Sequence, residues 1–324
     1  MSSKFNFNTT AEEVAAEFTR EIARKNVLIT GTSLGGIGLE AARVIAKYAS
    51  LIIITGYNAE RLKLSEEAIK KENPTARIRR LHLDLSSLEA VRKAAAEVNA
   101  YPEPLHVLIN NAAAPQGPFK LTVDKLEHQM ATNHFGPFLL TKLLAPKLLA
   151  SASATYTPRV VFVASEAHAM GTGIDFDVLK NPDPMKYHLF GAYFQAKSAN
   201  ILTAIELSRR SGGKINAYSL HPGVIFTNIL QKEESRDEMI NFGLLDENGQ
   251  PTDKTFKWKT IPQGAATTVT AAFDPSLNDK PGSYLNNSTV ANETIAPHSS
   301  DALNAQKLWA VTEEIIGETF TFYS

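Results

Sequence analysis

The sequence contains no cysteine. That excludes a disulfide scaffold, a thiol nucleophile and any zinc or iron–sulfur site built on thiolates. It lacks a charge imbalance too: 33 basic against 34 acidic side chains leave a formal net charge of -1. A strongly basic nucleic-acid binder and an acidic tail protein are excluded by that balance. Long apolar runs are also missing. Leu51 to Ile54 is a typical stretch, and nothing approaches a membrane span. Glu12 and Glu13 stand where a secretory signal places its apolar region, so a cytoplasmic protein without a membrane span is the expectation. No internal repeat, low-complexity segment or Gly/Ser linker divides the chain. What remains is ordinary: 324 residues, 44% hydrophobic and 21% charged, enough to bury a core without staples.

Thr10 and Glu13 form a capping-box pattern, and Val14, Phe18 and Ile22 follow at helical spacing, which predicts a short leading helix. Beyond it, compact apolar runs alternate with helical patterns. Strands are expected at 26–30, 51–55, 78–83, 105–109, 159–164 and 214–220. Helices are expected at 41–48, 60–71 and 88–98, through most of 122–150, and at 193–210. A docked C-terminal helix is expected over about 301–316, where Leu303, Leu308, Val311 and Ile315 share a face. Continuous rather than alternating hydrophobicity marks strands buried on both sides, and alternation with helices makes their sheet parallel. The fold class is therefore α/β, a Rossmann-type doubly wound parallel sheet. One domain is read over 1–324, with its core at about 24–230. The stretch of about 231–260 carries Glu233, Glu234, Asp246 and Asn248 and reads as an irregular substrate lid.

The segment Gly31-Thr32-Ser33-Leu34-Gly35-Gly36-Ile37-Gly38 follows a strand and opens a helix. There a backbone free of side chains can approach a pyrophosphate, and the helix N-terminus favours its charge. A glycine cluster also suits a plain turn, and the strand–turn–helix context favours the dinucleotide reading. The end of the second strand, Thr55-Gly56-Tyr57-Asn58, has no carboxylate to hold a ribose diol or repel a 2′-phosphate. NADP(H) is thus the expected cofactor and NAD the alternative. Arg61 and Lys63 either reach that phosphate or belong to a solvated helix face.

Tyr193 and Lys197 are four apart at a helix start, so phenol and ammonium share one face. A free phenol has pKa about 10, and a neighbouring cation favours its ionised form. Alone the pair is weak evidence; its weight comes from context. Ser165 closes a strand at the carboxyl edge, where such sheets place their sites. Asn110-Asn111-Ala112 closes the preceding strand, and Asn133 lies inside a helix, where Asn needs a reason.

Taken in order, these residues resemble the short-chain dehydrogenase/reductase superfamily, from about Asn26 to Thr227. The matching words are Thr30-Gly31, Gly36-Ile37-Gly38, Asp84-Leu85, Asn110-Asn111-Ala112-Ala113, Asn133, Ser165, Tyr193, Lys197 and Pro222-Gly223. The flanking words Ala167-His168, Ala199-Asn200-Ile201-Leu202 and His221-Pro222-Gly223-Val224 most resemble the retinol-dehydrogenase-like branch and its fungal relatives. The resemblance implies an oxidoreductase that moves a hydride between a nicotinamide cofactor and an alcohol/carbonyl pair. It implies Tyr193 as general acid/base, Lys197 as its pKa modulator and ribose ligand, Ser165 as holder of the carbonyl, and Asn133 as binder of a relay water. For the cofactor it implies Gly31, Thr32, Ser33, Gly36, Ile37, Gly38, Tyr57, Asn58, Asp84, Leu85, Asn111, Ala112, Ala113, Pro222, Gly223 and Thr227, along with Tyr193 and Lys197. Several features depart from the family pattern, among them Ala164 in place of a common first Ser and Phe162 and Phe226 in place of commoner polar residues. Four residues rather than three separate Gly31 from Gly36, Tyr57 stands where many NADP-using relatives carry Arg, and a long loop, 166–190, separates Ser165 from the Tyr193 helix.

Other residues take simpler readings. His168 either touches substrate or, as the favoured reading, caps the strand–loop junction, and His221 before Pro222 is structural. The scattered His residues lack paired metal-site spacing, so no metal is expected. Ser165 lies outside a G-x-S-x-G elbow, which argues against a serine hydrolase. Phe119, Phe135 and Phe138 belong to core or interface. The helices containing Asn133 and Tyr193 form a dimer seam in the resembled family, and an appended C-terminal helix opposes it; monomer and homo-oligomer both stand. Apolar Phe226, Leu230, Phe242 and Leu244 point to a hydrophobic or bulky small-molecule substrate, a ketone or aldehyde. The alternative is a nucleotide-sensing binding protein that kept the fold and lost the reaction. An epimerase or dehydratase on the same fold is a third reading.

Overall fold

A computed structural model describes residues 4–227, 235–253 and 255–322. Its strands are β1 (Asn26–Ile29), β2 (Leu51–Gly56), β3 (Ile78–His82), β4 (Val107–Asn110), β5 (Arg159–Val163), β6 (Asn216–His221), β7 (Val224–Ile225), β8 (Trp258–Lys259), β9 (Tyr284–Asn286) and β10 (Thr289–Val290). Eight of them form one sheet of order β10-β9-β6-β5-β4-β1-β2-β3, and β7 and β8 form a separate pair. Every neighbouring pair is parallel except β9 with β10. The order grows outward from β1 on both sides. The connections therefore diverge between β1 and β4, and a crevice opens at their carboxyl ends.

β1 shows why the sheet is covered twice. Val27 and Ile29 enter one apolar layer with Ala41, Val44, Ile45, Ala265 and Val269. Leu28 between them enters the other, with Val91, Leu108, Leu139 and Leu202. The two-residue period of a strand thus meets helices on both sides. Helices Ile37–Ala46, Ile261–Phe273 and Ala11–Glu17 cover the first face; Leu88–Ala100, Gly136–Leu149 and Leu189–Ser211 cover the second. Helix Ala302–Ile316 packs outside the second face, where buried Trp309 meets Phe138 edge-on at 4.7 Å. The leading capping box forms as read: Thr10 N–H donates to Glu13 Oε2 at 2.7 Å, and Glu13 N–H to Thr10 Oγ1 at 3.3 Å. No described helix is long and apolar enough to cross a membrane.

Several boundaries differ from the sequence reading. The helix expected at 41–48 begins at Ile37, because Gly36 is extended and serves as its N-cap. Residues 121–127 are not helical. They form a turn closed by a Leu121–Glu127 bridge, and the Glu127 carboxylate caps the N–H groups of Gln129 and Met130. The segment read as an irregular lid contains helix Arg236–Asn241 and strand β8. Helix Ile261–Phe273 had no amphipathic signal because nearly all its residues are buried. Strands β7 to β10 are two or three residues each, too short for a period to register. Leu230, Gln231, Glu233 and Glu234 lie outside the described residues.

Candidate active site

The glycine turn is braced from the end of β4. Asn111 Nδ2 donates to the carbonyls of Thr30 at 2.8 Å and Gly31 at 3.0 Å. In return, Thr30 Oγ1 accepts the backbone N–H groups of Asn111 and Ala112, both at 2.9 Å. Space here admits only glycine. Gly31 has φ +72°, and a Cβ on it would stand 2.7 Å from Ala112 Cα; one on Gly38 would stand 2.2 Å from Asn111 Nδ2. Thr32 is fully buried and ties the turn to β2, its N–H and hydroxyl both donating to the Thr55 carbonyl at 3.1 Å.

The helix that follows enters at Gly36 without a side-chain cap. The helices starting at Ala59, Leu88, Leu189, Ile261 and Ala302 each have one, from Asn58, Ser87, His188, Thr260 and Asp301, whereas Gly136–Leu149, which continues a π turn, has none. Its first N–H groups are thus left for an anion. A cleft beside this turn is lined by Thr32, Ser33, Thr55, Gly56, Tyr57, Asn58 and Arg61. These features fit a dinucleotide: glycines where its phosphates approach, an open helix end to receive them, and a pocket at the end of β2 for the adenosine side.

The expected cofactor residues divide into contacts and supports. Ser33, Gly36, Ile37 and Tyr57 border the open cleft or the helix start, and Tyr57 is 65% exposed. Asn58 lines the cleft but spends its side-chain oxygen on capping Arg61 N–H. Asp84 Oδ1 accepts from Ser86 N–H at 2.9 Å and its hydroxyl at 2.6 Å. Leu85 is buried, and its carbonyl presses on Gly136, where a Cβ would come to 2.4 Å. Asn111 was read as binding the cofactor. Asn111 instead gives its amide to the glycine turn, and Asn110 Nδ2 donates to Thr141 Oγ1 at 3.1 Å. Ala112 abuts Gly31, Ala113 is half-buried beside it, and Pro222, Gly223 (φ +101°) and Thr227 follow the end of β6.

Ser165, Tyr193 and Lys197 come together at the carboxyl edge of β5. Ser165 caps a short 3-10 turn, Glu166–Met170, its Oγ accepting from Ala167 N–H at 3.1 Å. Burial pushes the Tyr193 phenol up, and the neighbouring Ser165 hydroxyl pulls it back. Lys197 Nζ lies 5.4 Å from the Tyr193 ring centre and donates to the Val163 carbonyl at 2.8 Å. Burial lowers its ammonium to about 8.

Asn133 lies in a π turn, Ala131–Phe135, closed by Gly136 N–H on the Ala131 carbonyl. Such turns widen a helix, often at functional sites. Its Oδ1 accepts from Ala114 N–H at 2.7 Å, and its buried Nδ2 has no partner.

His168 holds the catalytic turn from behind. Ala296 N–H donates to Nε2 at 3.2 Å, so Nδ1 carries the proton and donates to the Ser165 carbonyl at 2.7 Å. His298 then bonds the His168 carbonyl at 3.0 Å. The capping role read for His168 thus has its geometry. The contribution of 296–298 was missed because the bonds span about 130 residues of chain.

Residues 25–174 match the family model described as short chain dehydrogenase. The chain is 38% identical over 322 residues to short-chain dehydrogenase TIC 32 A, chloroplastic, of Brassica napus, covering 97% of this chain and 95% of that one. It is 34% identical over 300 residues to retinol dehydrogenase 13 of Homo sapiens, covering 91% and 86%. A solved structure of an uncharacterized protein from Mycobacterium paratuberculosis superposes with TM-score 0.71 at 28% identity, covering 95% of this chain and 98% of that one. Similarity over nearly the whole length, together with the Ser–Tyr–Lys arrangement, makes the chain a member of the short-chain dehydrogenase/reductase superfamily in its retinol-dehydrogenase-like branch, an NAD(P)-dependent oxidoreductase acting on CH–OH groups.

Proposed function

We propose that this protein is an NADP(H)-linked reductase of apolar ketones or aldehydes. The carrying observation is the convergence of Ser165, Tyr193 and Lys197 at the carboxyl edge of β5, with the Lys197 ammonium 5.4 Å from the Tyr193 ring centre, next to an aromatic wall. That wall joins the Tyr193 helix to the lid: Phe190 stacks on Phe242 at 4.6 Å and on Phe194 at 6.0 Å, and Phe242 stacks on Phe256 at 6.1 Å. Phe226 and Leu244 pack against the same cluster. An apolar wall selects an apolar substrate body, and the few polar groups orient its carbonyl.

The bound nicotinamide supplies the hydride. The protein's part is to orient the carbonyl and deliver a proton. Ser165 Oγ donates to the carbonyl oxygen, and Tyr193, protonated under its burial, gives its proton to that oxygen as negative charge develops. Lys197, cationic below about pH 8, stabilises the phenolate left behind. The unpartnered Asn133 Nδ2 offers a donor to a relay water that returns the proton. Preference for NADP(H) is supported by a β2 cleft lined by Arg61 and no carboxylate.

The test follows nicotinamide absorbance with NADPH and NADH over a panel of ketones and aldehydes, with Tyr193→Phe alongside. The expected result is NADPH oxidation by wild type, abolished in the variant while cofactor binding stays. Wild-type turnover by Tyr193→Phe refutes the mechanism. Cofactor binding without oxidation of any carbonyl favours the nucleotide-sensing reading.

A further inference from the structure

Lys259, at the end of β8, belongs to none of the motifs above, yet it is only 5% exposed. Its stem lies across Gly223, where a Cβ would stand 2.6 Å from Lys259 Cδ. Its Nζ sits 4.9 Å from the Phe7 ring centre. Among the described residues the ammonium has no hydrogen bond and no ion pair. Glu166 acts on it electrostatically, but that carboxylate is engaged elsewhere. Oε1 accepts from Asn286 Nδ2 at 2.6 Å, and Oε2 faces His221 Nε2 at 3.4 Å. Buried charges are rare unless paired, because burial strips them of water. A buried ammonium with no hydrogen bond and no ion pair among the described residues is therefore a reason to look for an anion.

The fold supplies the place for one. The chain running on from Lys259 enters helix Ile261–Phe273, whose Gly264 packs on Ile37: a Cβ there would meet Ile37 Cγ2 at 3.1 Å. Ile37 is the first residue of a helix that enters at Gly36 without a side-chain cap. Lys259 thus lies over the Pro222–Gly223 turn, just before the helix whose Gly264 packs on that open N-terminus. His221, at the end of β6, feels the ammoniums of both Lys259 and Lys197.

We propose that Lys259 is a phosphate-binding residue of the cofactor site, its ammonium pairing with the pyrophosphate that the open helix start receives. This rests on the NAD(P) reading above. Backbone N–H groups and the helix dipole supply partial charges to an anion, whereas Lys259 supplies a full one. Binding converts an uncompensated buried cation into a paired one. Because the stem lies against Gly223, pairing also steadies the turn that flanks the nicotinamide.

The experiment is a calorimetric titration with ADP-ribose, which carries the pyrophosphate and no nicotinamide. NADPH, NADH and nicotinamide mononucleotide are run beside it against wild type, Lys259→Met and Lys259→Arg. Met keeps the stem over Gly223 and removes the charge; melting curves confirm folding. In the Met variant the affinities for ADP-ribose, NADPH and NADH should each fall about tenfold or more, and Arg should hold them within about threefold of wild type. Unchanged ADP-ribose affinity in Lys259→Met overturns the proposal, as does a loss confined to nicotinamide mononucleotide. Wild type that binds none of the dinucleotides overturns the cofactor reading instead. Lysine ε-13C NMR of the unaltered protein gives a second readout, with Lys259 assigned by its missing signal in Lys259→Arg. That signal should move on ADP-ribose addition, and a static one sinks the assignment.

Discussion

Gly38→Ala tests whether the glycine turn is held by its brace from β4. The added methyl would fall 2.2 Å from Asn111 Nδ2 and 2.5 Å from the Gly31 carbonyl oxygen. Asn111 can swing aside only by giving up its bonds to Thr30 and Gly31, at 2.8 and 3.0 Å. Each such bond contributes about 1 kcal/mol, and pressing a methyl into packed space costs about 1–3 kcal/mol. Helix propensity returns about 1 kcal/mol, since Ala replaces Gly in the first turn. The net loss is about 2–4 kcal/mol of stability, read from urea unfolding. Cofactor binding should suffer as much, because the displaced groups shape the phosphate seat. A loss of about 3 kcal/mol is more than a hundredfold in Kd, read by NADPH fluorescence. Gly213→Ala is the control: φ is +83° and nothing lies within 4 Å of its Cβ, so only backbone strain of about 1–2 kcal/mol applies. If Gly38→Ala binds NADPH within about threefold of wild type, the brace from Asn111 does not position the turn.

Acid should destabilise the fold through three histidines. Burial lowers His134 and His221 to about 3 and His106 to about 4, whereas an unfolded imidazole sits near about 6.5. The unfolded chain therefore binds more protons as pH falls through that window, so stability is full above about 6.5 and lost toward 3–4; a urea midpoint unchanged between pH 7.5 and pH 5 refutes this. Trp309→Ala should cost about 3–5 kcal/mol, since that buried ring packs on Phe138 at 4.7 Å and stacks on Phe320 at 5.0 Å. NADPH affinity should hardly change, and a large loss of it refutes the separation of the two regions. Helix Ala302–Ile316 occupies the outer side of the helices bearing Asn133 and Tyr193, His134 bonding Thr312 at 2.8 Å. The helix covers the surface through which such a seam would pair, so chains should not associate there, and a stable dimer joined through that seam, located by cross-linking, refutes the argument.

What the sequence displayed of the fold is what depends on local pattern. β1, β2, β4 and β5 are continuous apolar runs because both sheet faces are covered, and burial of all of Val27, Leu28 and Ile29 is the structural counterpart. The leading helix was legible through Thr10 and Glu13, which form both bonds of the box. Helix Ile261–Phe273 carries an equally plain box, Thr260 with Gln263, and that signal was there to be used. β9 offered nothing comparable. Three residues long, it owes its place to pairing with β6, where Leu220 meets Leu285.

The site divides along the same line. Tyr193 and Lys197 share a helical face, so their proximity follows from spacing, and Ser165 joins them because β5 ends beside that helix. Asn111 was legible as important but not for what it does. Whether its amide faces a nucleotide or the Thr30 and Gly31 carbonyls depends on how closely β4 abuts the glycine turn, a contact spanning 80 or more residues. Lys259 was silent for the same reason. Beside Trp258 in sequence it is one of many lysines. Its burial arises because β7 and β8 pair and bring it under Gly223, whose missing side chain leaves room for the lysine stem. The absence of a side chain at one position thus permits a charge contributed by another. Such dependence between distant residues has no period, no cap and no spacing by which a single sequence could reveal it.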